Sequence, residues 1–161
     1  MNLIDCSYFY AGPLAIENAQ KTDDLDNNAV AVQEAITGYI ETYQGEFLRK
    51  MLGADLTASV EEHLDSNGTD EGMETLCEKL RRSFAHYVYF KMVGDVNQTM
   101  TVTGLVRMKS ANDYQPPRQR MVKVWNDMVE LNRRFVEWAA ESDFEVYYHV
   151  NMVTPINQFN L

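Results

Sequence analysis

Between Ile36 and Leu52 apolar residues return at every third or fourth position. Ile36, Ile40, Tyr43, Phe47, Leu48, Met51 and Leu52 lie along one stripe of an α-helix, and Gly53 is the residue type that most readily ends one. Gly38 and Gly45 weaken the interior, so a break is expected near Thr37 and Gly38. ADLTASVEEHL continues as a short helix closed by the turn DSNGTD. A second long stripe, Met73, Leu76, Cys77, Leu80, Phe84, Tyr87 and Val88, predicts a helix from about Glu71 to Met92, capped by Thr69 or Asp70 and ended by Gly94. The longest helix follows Pro116-Pro117, which suit a first turn. It keeps Met121, Val124, Trp125, Met128, Leu131, Phe135 and Trp138 on one broad face as far as about Glu141. Residues 1 to about 28 read as an irregular arm, interrupted at Gly12-Pro13 and closed by the polar cluster KTDDLDNN with Asp26 or Asn27 as N-cap.

Two stretches change to period two. Thr99, Thr101 and Thr103 alternate with Met100 and Val102 as far as a bend at Gly104, which predicts a strand or hairpin near 99–108. Phe144, Val146, Tyr148, Val150 and Met152 alternate with polar neighbours, which predicts a C-terminal strand near 144–153. Two strands do not make a stable sheet alone, so they must pair against the helices or complete a sheet with a neighbouring copy. The expected fold is mainly α: a single domain over 1–161, built as a bundle of about four to five helices with a small β element, an N-terminal arm and an extended tail over about 144–161.

Composition adds limits. A chain of 161 residues with 45% hydrophobic and 24% charged residues can bury a core without staples and is neither disordered nor fibrous. No run approaches the roughly 20 apolar residues of a membrane span, and the opening MNLIDCSYFYAGPLAI does not read as a secretory signal, so no membrane role is expected. Cys6 and Cys77 lie far apart without metal-ligand spacing and are expected to be reduced. Charge is unevenly spread. Residues 1–78 carry 16 acids and 3 bases, residues 79–134 carry 11 bases and 4 acids, and residues 135–161 carry 4 acids and no base. Either the halves neutralise each other within one fold, or copies associate head to tail and build a ring.

The residues offer little covalent chemistry. His63 and His86 have no carboxylate or second histidine at a helical step that would make a metal pair, His149 lies in a period-two stretch where a helical step does not apply, and no nucleophile elbow, phosphate loop, zincin or dinucleotide fingerprint occurs. His63 reads as a solvated helix residue, His86 as packed among aromatics, and His149 as lying on the polar face of a strand. No enzymatic activity, cofactor or metal is expected. The bases from Lys79 to Arg134 are dispersed in an acidic protein, which argues against sequence-specific DNA binding, although a negatively charged lumen would let DNA slide past. Trp125 and Trp138 read as core, with Trp138 a candidate for an interface. Contacts of opposite sign between copies, acids of residues 55–78 against Arg118, Arg120 or Arg133, are expected to set orientation.

YIETYQGEFLRKMLGADL, FYAGPLAI, AHYVYF with TMTVTGLVRMKSAN, the helix MVKVWNDMVELNRRFVEWAAES and the closing PINQFNL, taken in order, resemble the head-tail connector, or adaptor, proteins of tailed bacteriophages, in particular the small all-helical adaptors that bind the portal. The similarity spans most of the chain and is carried by hydrophobic and turn residues. It implies a structural virion protein, made in the host bacterial cytoplasm and placed at the head–tail interface. Its subunits would form a ring, twelve-fold in the family, joining the portal to the next tail or stopper ring and surrounding the DNA exit channel. By the same resemblance the tail Pro155, Ile156, Asn157, Gln158, Phe159, Asn160 and Leu161 would dock on the portal. The segment holding Thr101, Thr103 and Gly104 would project toward the lumen or a neighbouring ring. The long N-terminal arm and the acidic stretch Asp23 to Asp26 depart from the family pattern. The alternative is a small helical protein-binding or regulatory module acting as a monomer or dimer.

Overall fold

The computed structural model describes residues 1–20, 27–66, 68–96, 99–101, 104–106, 117–157 and 159. Four helices carry the fold: α1 (Asn27–Leu52), α2 (Ala54–Asp65), α3 (Glu71–Val96) and α4 (Pro117–Ala140). The apolar stripes determine how they pack. Phe47 meets Phe84 and Tyr43 meets Tyr87, while Phe90 meets Trp125 and Ser83 meets Asn132, so α1 and α4 both run antiparallel to α3. Helix α3 is therefore the central one. Every residue from Ser83 to Val88 is buried, as expected of a helix covered on several sides.

Several boundaries differ from the sequence reading. Helix α1 does not break at Thr37 and Gly38, because Ile36 and Ile40 on either side are both buried and hold the backbone in register. Gly94 does not end α3, which continues to Val96. Asp70 is the cap of α3: its Oδ1 accepts from the backbone N–H of Gly72 at 2.8 Å and of Met73 at 3.0 Å. The alternative α1 cap Asp26 lies outside the described residues. The N-terminal arm has only two short 3-10 turns, Cys6–Phe9 and Gly12–Leu14, yet it is firmly packed. Leu3, Ile4, Phe9, Leu14 and Ala19 are buried, and Gln33 of α1 donates to the Ala19 carbonyl at 2.8 Å.

The expected β element is not a component of the packed body. No strand forms over 144–153. Residues 144–149 belong to no helix or strand, His149 is extended and Val150–Val153 close into a 3-10 turn, and the alternation of half-buried and exposed residues stops after Tyr147. Among the described residues near 99–108 the backbone pairs Thr99–Thr101 with Gly104–Val106, three residues on each side, too short to be an independent sheet.

The extended tail bonds to a helix end instead of to a strand. The last carbonyls of a helix lack intrahelical partners. Here Tyr147 N–H donates to the Leu52 carbonyl at 3.3 Å and His149 N–H to the Lys50 carbonyl at 2.8 Å. The two donors are two residues apart, which is the spacing at which extended chain presents N–H groups to one side. Gly53 makes the approach possible. Its φ of 82° and ψ of 177° lie in a region essentially reserved for glycine, and an added Cβ would stand 3.1 Å from Cβ of Tyr147. Gly53→Ala is expected to destabilise the protein by about 1–3 kcal/mol in urea unfolding. Gly38→Ala, on an exposed helical turn with nothing within 4 Å, should instead stabilise by about 0.5–1 kcal/mol. Equal effects at the two glycines would show that the Gly53 backbone is not the constraint.

Candidate functional site

Beyond His149 the tail lies along α4, held there by side chains that read its backbone. Asn132 Nδ2 donates to the Met152 carbonyl at 2.7 Å, Arg133 Nε to Val153 at 3.1 Å and Trp125 Nε1 to Thr154 at 3.1 Å. Asn126 closes the series with two bonds to Ile156, Nδ2 to its carbonyl at 3.0 Å and Oδ1 from its N–H at 2.9 Å. Asn132 is completely buried and accepts a hydrogen bond from Ser83 Oγ of α3, so the clamp reaches through the core. The buried Met152 is the apolar anchor. Residues 144–157 form a strap whose inner side is fixed by α1 and α4.

Its outer side is uncovered and carries large apolar side chains among the exposed polar residues Glu145, His149, Asn151 and Thr154. Tyr147 is 64% exposed, Tyr148 39%, Val150 74% and Phe159 84%; apart from Met1, these are the large apolar side chains that stand exposed among the described residues. Their concentration within 13 residues of the chain, on a segment whose backbone is clamped, marks a candidate docking face. The acids flanking it, Glu141, Asp143 and Glu145, form no ion pair among the described residues.

The residues expected to act between subunits are largely used within this one. Arg120 donates to the Pro13 carbonyl and lies 5.3 Å from the Tyr89 ring centre, fastening the N-terminal arm. Arg133 serves the strap and pairs with Glu130 at 3.0 Å. Trp138 is half-buried between Phe135 and Phe144, with the Lys79 ammonium 4.9 Å from its ring centre. Arg118 stands exposed on the first turn of α4. In the tail, Pro155 is exposed, Ile156 is half-buried in the Asn126 clamp, and Asn157 Oδ1 accepts from Phe159 N–H at 2.8 Å. Thr101 faces Gly104 across the short hairpin. Thr103, Gln158, Asn160 and Leu161 lie outside the described residues.

A polar cluster crosses the α1–α3 contact. Glu46 accepts from Lys50 and from the Tyr87 hydroxyl, the latter at 2.8 Å, and Lys91 lies 3.6 Å from the same carboxylate and 4.7 Å from the Tyr43 ring centre. Burial opposes ionisation of Glu46, but the bonds from Lys50 and Tyr87 and the charges of Lys91 and Lys50 outweigh it and hold the carboxyl below its usual range. Burial, then the Glu46 bond, push the Tyr87 phenol far up. Burial and a hydrogen bond to Asp95 push Tyr39 to about 12. The cluster stabilises a helix contact.

The histidines differ from their sequence reading. His63 is buried, not solvated, with Nε2 3.5 Å from Glu74 and its ring against Gly68. His86 is buried, but against the Arg82 carbonyl and a charged groove instead of among aromatics, and His149 sits exposed on the strap. Cys6 and Cys77 are free thiols, and burial raises Cys77 to about 11. Among the described residues no group of three or more His, Cys, Asp or Glu side chains is placed to hold a metal, and no helix is long and apolar enough to cross a membrane.

Asn126 and Asn132, which hold the strap, were legible only as polar residues beside the apolar stripe of α4; nothing in the sequence distinguishes them from solvent-facing amides. Comparison with protein-family models, with curated proteins and with solved structures gives no match.

Proposed function

We propose that this chain is a head-tail connector subunit of a tailed bacteriophage, an adaptor that docks on the portal and surrounds the exit path of the DNA. The carrying observation is the strap: a terminal segment clamped on its inner side by backbone bonds while Tyr147, Tyr148, Val150 and Phe159 face outward. A scaffold whose polar groups are spent on holding a terminal segment in place, with apolar side chains left outside it, suits a protein that works by adhesion. In this reading Ile156 is the last anchored residue, and Asn157 to Leu161, with Phe159 as apolar anchor, engage the portal. The hairpin around Thr101 and Gly104 projects toward the lumen or the next ring, the ring sits in the virion at the head–tail interface, and DNA passes it without specific contact.

The test is capture by the portal protein of the phage that encodes this chain, together with incorporation into particles. Phe159→Asp, at a position 84% exposed, should leave the melting curve unchanged and reduce portal capture by at least about tenfold. Removing residues 157–161 should abolish it. Normal incorporation of both variants would rule out the docking assignment. A wild-type dimer indifferent to the portal and absent from particles would favour the helical binding module instead.

A further inference from the structure

A second feature lies on the other side of α4. Between the N-terminal arm, α3 and α4 runs a groove of about 350 Å³, with Leu14, Ala85 and Leu131 as apolar floor, His86 in its wall and Arg82 and Arg134 beside it. Its volume is at the small end of the range for ligand pockets and accepts an aromatic side chain. Two acids also border it, but each is already paired along α4, Asp127 with Lys123 and Glu130 with Arg133. Arg82 and Arg134 are exposed and have no ion-pair partner among the described residues.

His86 is more than nine-tenths buried, and its Nδ1–H donates to the Arg82 carbonyl at 2.8 Å. That bond fixes the tautomer and leaves Nε2 with a lone pair and no partner among the described residues. Burial lowers the pKa of His86, which keeps the ring neutral and Nε2 an acceptor near pH 7. An occupant of this groove must therefore bring an apolar body, a hydrogen-bond donor and negative charge.

The strap carries all three. Tyr148 is a partly exposed aromatic residue whose hydroxyl has no partner among the described residues, next to Tyr147 and Val150. Beside them in the chain stand Glu141, Asp143 and Glu145, none of them in an ion pair among the described residues although Glu145 accepts from the Tyr147 hydroxyl, in a stretch from residue 135 onward that contains no Lys or Arg. The strap is held by Trp125, Asn126, Asn132 and Arg133, whereas the groove is bordered by Asp127, Glu130, Leu131 and Arg134. At 3.6 residues per turn these two sets point about 150° apart around α4.

We propose that the outer face of the strap of one molecule seats in the α3–α4 groove of a second copy, with Tyr148 donating to His86 and the strap acids beside Arg82 and Arg134. Because the two surfaces lie on opposite sides of α4, the contact is head to tail and repeats from copy to copy until a ring closes or a filament extends. It concerns the subunit contact that the connector reading requires, yet it is tested without a portal, so either idea can fail alone.

The experiment is sedimentation velocity of the full chain over a concentration series, with a melting curve for each variant as the check on folding. Wild type is expected to associate, more weakly as salt rises. Tyr147→Ser with Tyr148→Ser removes the strap face, and Arg82→Glu with Arg134→Glu reverses the groove rim; each pair should weaken self-association by at least about tenfold. Mixed one to one, the two variants should form a heterodimer and nothing larger, since each retains one intact face. Asp143→Lys with Glu145→Lys should bind the reversed groove better than the wild-type groove. A wild type that stays monomeric up to about 1 mM, association unmoved by either double variant, or a mixture that remains monomeric would each overturn the proposal.

Discussion

Asn132→Ala should remove about 3 kcal/mol of stability, more than the loss of so small a side chain ordinarily would. Asn132 is fully buried and bonds Ser83 on one side and the Met152 carbonyl on the other. Truncation leaves both groups without a partner in a dry setting, at about 1–3 kcal/mol for each buried group left unsatisfied. The strap is then the weakest attachment in the molecule. Asn126, half-buried at its far end, is the control: Asn126→Ala should cost only about 1 kcal/mol, because water reaches the freed groups of Ile156. Urea unfolding gives both values. Hydrogen exchange at Tyr147 and His149 then shows whether the strap opens before the bundle does, as the Asn132 variant should do. A loss below about 1 kcal/mol at Asn132 would mean that water replaces its bonds and that the clamp is not built through the core.

Tyr87→Ala should cost about 3–5 kcal/mol, the range for removing a large buried aromatic ring. Tyr87 touches Tyr43, Phe47 and Trp125, so it joins α1 to α4 across α3. Tyr87→Phe separates ring from hydroxyl. It should cost about 1.5–3 kcal/mol, the range for a hydrogen bond to a charged group such as the Glu46 carboxylate. The pH profile carries a second signature. The phenols of Tyr87 and Tyr39 are both raised above their ordinary 10.0 by folding, so their contribution is fully present below pH 10 and is lost as pH rises beyond it. Glu46 is lowered from 4.5, so its contribution is present above that pH and fades below it. Tyr87→Phe should therefore flatten the alkaline limb of stability against pH. An alkaline limb identical to wild type would assign it to Tyr39, Tyr43 and Cys77 instead.

How much of this was legible depended on whether a residue's partner was near or far in sequence. The stripes of α1, α3 and α4 announce their helices because helical neighbours are three and four residues apart. Asp70 as a cap was legible for the same reason, since it bonds residues two and three positions on. The break expected at Gly38 fails because the burial of Ile36 and Ile40 outweighs a local propensity of about 1 kcal/mol. The tail shows the limit most clearly. Period two predicts a strand over 144–153 and none forms, because periodicity states only which residues share a side, not what lies opposite. The partner is the carbonyl end of α1, some hundred positions earlier in the chain, and no pattern within the tail encodes it. For the docking face, the exposed aromatics of the strap read as an alternating strand, whereas Arg120, Arg133 and Trp138, expected between subunits, hold the arm, the strap and the core of their own molecule.

The bonds from Tyr147 and His149 to the end of α1 impose an order of events. A ribosome releases residues 147 to 156 after every helix of the bundle, and they have no rail to lie on until α4 has closed against α3 and brought Asn126 and Asn132 into line. The segment is thus a seal applied last. An incomplete chain leaves the α1 carbonyls open to water and the aromatic residues of the tail unarranged, so the exposed aromatic face exists only on molecules whose interior is already finished, and under the proposed docking role only finished molecules would present it.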